Sequence, residues 1–151
     1  MLKAKDFWDY LCNTLEYRFF SGVPCVGFKC LYDKMDSKIM YYIPATKENV
    51  ALGIISGAYF VGIKGGIFLD GKNFYDIFSW LIGFNVKYKI PILIFVYTED
   101  YTNISKLLES NSIPYILLPS SLSDESFVYF INNMEEILMP GVVLVGKGEL
   151  S

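Results

Sequence analysis

The chain contains no histidine. That removes the commonest general base and the commonest metal ligand together, leaving acid–base chemistry to carboxylates, tyrosines or a cofactor. Cysteine is scarce and odd in number. Cys12, Cys25 and Cys30 match no zinc or redox spacing and read as reduced thiols of a cytoplasmic protein. Charged residues make up only 19% of the chain, below the roughly 25% usual for a soluble domain. With a net charge of −3 and no cluster of Lys and Arg, the footprint of a nucleic-acid binder is missing. Long apolar runs are missing too. Val50 to Ile63 and Ile90 to Tyr97 are interrupted or too short to span a bilayer, and Met1 to Asp6 enters a charged amphipathic segment without a signal-peptide core. No phosphate loop is complete: Gly141 to Gly148 has the spacing, but Gly148 stands where Ser or Thr must hold magnesium.

What the chain has in excess is apolar and aromatic surface. Apolar residues reach 53% and aromatics 17%, with twelve Tyr and twelve Phe in 151 residues. A domain of this length buries roughly 68–70% of its unfolded surface on folding. So few charges cover the remainder poorly, which predicts either burial against another chain or an unusually greasy monomer.

Apolar periodicity gives the order of elements. Phe7, Trp8, Leu11 and Leu15 fall at helical spacing; Tyr17 to Ser21 reads as a strand ended by the turn Gly22-Val23-Pro24. Residues 26–34 suit a helix with Phe28 and Leu31 inward, and Lys38 to Ile43 a second strand. A small-sided helix is expected from about Thr46, as N-cap, to Val61. Gly65 to Asp70 is a third strand, and residues 73–88 an aromatic-rich helix. Ile90 to Tyr97 is continuously apolar, as a strand covered on both faces should be. A helix near 101–110, a strand at 114–118, a helix at 123–138 and a strand at 142–145 complete the pattern. The alternation predicts one α/β domain over 1–151, an α/β/α sandwich of three layers on a mostly parallel sheet of about six strands.

In such sheets ligands bind beyond the C-terminal ends of the strands. Glu48 stands there, in the first turn of a helix, where a carboxylate serves either the helix dipole or a ligand. Asp70 ends the third strand and is either a helix-start residue or part of a site. Cys25 follows the Gly-Val-Pro turn, but no histidine is present to activate it as a nucleophile.

Two segments carry a family resemblance. Tyr17-Arg-Phe-Phe-Ser-Gly-Val-Pro-Cys25 looks like the first-strand loop of phosphonopyruvate and sulfopyruvate decarboxylases. Pro44-Ala-Thr-Lys-Glu48-Asn-Val-Ala-Leu-Gly-Ile-Ile-Ser-Gly57-Ala58-Tyr59 is similar to the glutamate-bearing segment of the same family, and Ile90-Pro91 and Ile113-Pro114-Tyr115 follow in the expected order. The resemblance implies the pyrimidine-binding half of the thiamine-diphosphate fold, acting on a small 2-oxo acid. It implies that Glu48 hydrogen-bonds the aminopyrimidine and thereby activates the cofactor. Gly22, Val23, Pro24, Thr46, Asp70, Gly71, Asn73 and Phe74 would line the pyrimidine end, with Ser21, Cys25, Lys47 and Lys72 towards the substrate.

The family holds the diphosphate and magnesium (Mg2+) with Gly-Asp-Gly followed later by Asn. Asp70-Gly71-Lys72-Asn73 does not match that pattern, so the metal is expected on a partner chain only. The expected partners are a diphosphate-binding beta subunit, further copies of this chain, or both. Two departures stand out. Where the family has a turn like Asn-Ser-Gly-Leu-Gly-Asn, ungapped counting places Gly71 to Asp76, with Asn73 and Tyr75 at the glycine positions. After Tyr97 the family's Arg-Gly and His-bearing loop give way to Thr98-Glu99-Asp100. These departures leave a second reading, a non-catalytic regulatory or scaffold subunit that keeps the fold and interface. A flavodoxin-like mononucleotide binder fits less well, because no Ser/Thr-rich loop follows the first strand.

Overall fold

The computed structural model describes residues 1–151. Six strands form one parallel sheet: β1 (Phe19–Gly22), β2 (Tyr41–Pro44), β3 (Gly65–Asp70), β4 (Leu93–Tyr97), β5 (Tyr115–Leu117) and β6 (Gly141–Val145). Their spatial order is β2-β1-β3-β4-β6-β5 and every pair is parallel. The helices are α1 (Ala4–Trp8, continued by a π-helical turn to Thr14), α2 (Lys29–Tyr32), α3 (Glu48–Phe60), α4 (Gly71–Trp80, continued as π-helix to Val86), α5 (Tyr101–Ser110) and α6 (Glu125–Ile137). No helix is long and apolar enough to cross a membrane.

The expected α/β/α layering is what forms, and side-chain alternation explains it. In β4, Leu93 and Phe95 enter one core while Ile94 and Val96 enter the other. In β6, Val143 and Val145 face the first and Val142 and Leu144 the second. Both faces being covered, these strands read as unbroken apolar runs. The first core also takes Phe7, Trp8 and Leu11 from the N-terminal helix, Phe28 and Leu31 from the α2 region, and Phe127 and Phe130 from α6. The second takes Ala51, Leu52 and Ile55 from α3, Phe74 and Ile77 from α4, and Ile104 from α5.

Several boundaries differ from the sequence expectation for local reasons. The second strand begins at Tyr41 rather than Lys38, because Asp36 turns the chain: its Oδ1 accepts the Lys38 N–H at 2.9 Å and its carbonyl accepts Ile39 and Met40. The expected helix over 26–34 divides into a 3-10 turn at Val26–Phe28 and the short α2. Thr46 is not the N-cap of α3. Lys47 holds that position in extended conformation, without a side-chain cap. The fourth helix begins at Gly71 instead of residue 73, since the Asp70 carboxylate caps it by accepting the Lys72 N–H at 2.9 Å.

Candidate functional site

From β1 the chain crosses to β2 on one side and then to β3 on the other, so a crevice opens where β1 and β3 part company at their C-terminal ends. Gly22 ends β1 close against β3, where a Cβ would collide with the Phe68 backbone carbonyl. The Gly22 carbonyl accepts the Ala45 N–H at 2.9 Å and the Tyr42 hydroxyl at 3.3 Å, tying the first loop to the segment leading into Glu48. Ser21 is fully buried and its hydroxyl donates to the Ile43 carbonyl at 2.6 Å, a latch between β1 and β2 rather than a group open to substrate. Val23 is half-buried, Pro24 exposed and Cys25 half-buried; burial pushes the Cys25 thiol above its ordinary value, which keeps it neutral.

Glu48 is the first residue of α3 and is half-buried. Its Oε1 accepts a hydrogen bond from Asn73 Nδ2 at 2.8 Å, and no cation pairs with it. The carboxylate lines a recess of about 240 Å³ together with Lys47, Asn49, Asp76, Ile77 and Trp80. Lys47 and Thr46 are exposed on the approach.

A second recess, of about 430 Å³, opens at the ends of β3 and β4, where Asp70, Gly71 and Lys72 face Tyr97, Glu99 and Asp100. Gly71 must be small there, since a Cβ would press to 2.8 Å from Thr98. Asn73 stands between the two recesses in sequence, with its amide turned to Glu48. Phe74 is a correction: it is fully buried in the second core and offers a ligand no surface. The structure thus gathers Glu48, Asn73 and Lys47, sets Asp70, Gly71 and Lys72 beside them, and turns Ser21 and Phe74 inward.

Trp80 was not singled out from the sequence. It is 57% exposed and belongs both to the Glu48 recess and to an apolar groove of about 500 Å³ between α3 and α4. Leu52, Gly53, Gly83 and Phe84 line that groove, and a Cβ at Gly53, Gly57 or Gly83 would meet nothing within 4 Å. The signal was present in the spacing: Phe74, Ile77 and Leu81 keep the core phase of α4, and Trp80 lies outside it.

Fold and site define an open parallel α/β domain whose C-terminal sheet edge carries a helix-start glutamate beside an apolar groove. The chain is a relative of the alpha subunits of sulfopyruvate decarboxylase. It is 32% identical over 111 residues to the protein named sulfopyruvate decarboxylase subunit alpha in Methanococcus maripaludis, a match covering 64% of this chain and 66% of that one. It is 30% identical over 79 residues to the protein of the same name in Methanocaldococcus jannaschii, covering 52% of this chain and 47% of that one. The matched stretches therefore span about two thirds and about half of those relatives' lengths. No protein-family model matches the chain.

Proposed function

We propose that this chain is the aminopyrimidine-binding subunit of a thiamine-diphosphate-dependent 2-oxo acid decarboxylase, completed by a second subunit. The observation that carries this reading is Glu48 itself: a half-buried carboxylate in the first turn of α3, held through one oxygen by a neutral amide and paired with no cation. That donor set fits the pyrimidine end of the cofactor, because Oε2 and the full negative charge stay available to a protonated ring nitrogen. When bound, thiamine diphosphate supplies the electron sink for decarboxylation. The protein's part is to orient the ring, to hold a proton at that nitrogen through Glu48, and to keep water away.

Gly22 lets the end of β1 lie close against the Phe68 carbonyl of β3, which fixes where the loop after β1 leaves the sheet. The diphosphate and its magnesium are assigned to the partner because Asp70-Gly71-Lys72-Asn73 does not match the Gly-Asp-Gly pattern that would hold them. Both relatives are named as alpha subunits, and the α3/α4 groove adjoining Glu48 is apolar surface that a partner would cover. The substrate is read as a small 2-oxo acid, its side chain unassigned.

Glu48→Gln tests the reading, because glutamine keeps the shape and can still accept from Asn73. In the assembled complex turnover should fall about 10²–10⁴-fold, the usual worth of an acid–base group. Unchanged turnover would instead favour a scaffold subunit, a reading to which the side chains of Asn73 and Tyr75 at expected glycine positions lend some support.

A further inference from the structure

Glu48 and Asn73 are 25 positions apart and meet because α3 and α4 begin side by side above the C-terminal edge of the sheet. The start of α4 is fixed twice, by the Asp70 cap and by the contact of Gly71 with Thr98. That places Asn73 in the first turn with its amide against the Glu48 carboxylate. The 2.8 Å bond is the only hydrogen bond either side chain makes. Lys47 and Lys72 are sequence neighbours of the two residues, yet neither forms an ion pair with Glu48.

The choice of partner has chemical content. An arginine would engage both carboxylate oxygens and a lysine would neutralise the charge, whereas an amide fixes one oxygen and does neither. We propose that Asn73 is a positioning residue: it holds Oε1 so that Oε2 of Glu48 is presented to the ring nitrogen of the aminopyrimidine, and it does not itself bind the cofactor. This rests on the function proposed above. A long glutamate side chain with three rotatable bonds samples several rotamers when free. A single charge-assisted hydrogen bond, without a second charge, selects among them.

Two measurements test the assignment. In the isolated chain, the Asn73 side-chain amide resonances in a 1H–15N spectrum should move with pH, and most of that movement should be lost in Glu48→Gln, with Asp70 and Asp76 accounting for the remainder. In the complex assembled with its partner, thiamine diphosphate and magnesium, the rate of deuterium exchange at the cofactor's C2 reads the activation step without a substrate. Asn73→Ala should slow that exchange about 10- to 100-fold, the worth of one hydrogen bond to a charged group, while calorimetric affinity for thiamine diphosphate stays within about twofold. Placed on Glu48→Ala, which leaves no side chain to hold, it should add nothing, since Asn73 acts only through Glu48.

Should Asn73→Ala fail to fold, Asn73→Asp serves: two adjacent carboxyls share a proton, and the pH profile of exchange should gain a limb displaced upward. An amide that ignores Glu48, equal losses in both backgrounds, or an unmoved profile for Asn73→Asp overturns the assignment. If Glu48→Gln slows exchange and Asn73→Ala does not, this inference alone fails. If Glu48→Gln exchanges at the wild-type rate, the function proposed above fails with it.

Discussion

On one face of the sheet, aromatic rings close over one another; on the other, aliphatic side chains pack inward while the outer surface of the helices stays greasy. Phe68 is the hub of the first face. Its ring stacks on Phe95 with centroids 4.9 Å apart and meets Phe7, Trp8, Phe20 and Phe28 at angles. Trp8 donates its indole N–H to the Leu31 carbonyl at 2.9 Å, so even the polar atom of that cluster is satisfied. The second face is assembled from Ile, Leu and Val under α3, α4 and α5. There α3 is apolar on both sides: Leu52 and Ile55 are buried, yet Val50 and Phe60 are 44% and 66% exposed. A helix apolar all round is one that ends up covered on all sides. Exposed apolar side chains run the length of α3, from Val50 near Glu48 to Phe60 at its far end, and Trp80 adds to them beside Glu48.

The contrast can be broken by substitution. Phe68→Ala should cost about 3–5 kcal/mol of folding stability in urea titrations, because its rigid aromatic neighbours cannot collapse into the space. A loss under about 1 kcal/mol would mean the aromatic face is not what holds the fold. Trp80→Ala should leave the isolated chain within about 0.5 kcal/mol of wild type. It should weaken association with the partner subunit by about 2 kcal/mol or more in calorimetric titration, as a central aromatic anchor does. Unaltered affinity would remove the groove from the interface. Gly57→Ala should raise the stability of the isolated chain by about 0.5–1 kcal/mol, since helix interiors disfavour glycine and nothing stands near the added methyl.

A smaller effect comes from Cys12, buried under the aromatic face, whose thiol burial pushes up from 9.0 to about 11. Between those values the unfolded chain has released a proton that the folded chain keeps. The Cys12 contribution is thus intact below pH 9 and is lost as pH rises to about 11. Replacing Cys12 with Val should flatten that part of the stability profile; an identical slope would argue against it.

Most of the fold was legible because β3, β4 and β6 are buried on both faces and say so in unbroken apolar runs. Edges and junctions were harder to read. Lys38 to Met40 look like strand residues, but the Asp36 carboxylate and carbonyl capture their N–H groups first. Thr46 is a good capping residue one position too early, and propensity cannot choose the register that puts Lys47 there. The π-helical end of α4 also left no mark in composition. It carries the buried Asn85, whose amide donates to Ser56 at 2.9 Å across to α3.

At the candidate site, Glu48 was visible because a strand pattern breaks into a small-sided helix just before it. Its bond to Asn73 was not, because it depends on how two helix starts align in space. Ser21 and Phe74 were expected near ligands from the family resemblance, and alternation along β1 and the core phase of α4 turn them inward.

β2 lies at the rim of the sheet, joined to β1 through four residue pairs and to nothing on its other side. Glu48 hangs from that strand by a three-residue connection, Ala45 to Lys47. Local opening of such a rim takes much less free energy than global unfolding. Amide protons from Tyr41 to Val50 should accordingly exchange ahead of those in β3 and β4. In the proposed complex, a chain closing over α3 would slow them and so still the strand from which Glu48 is suspended.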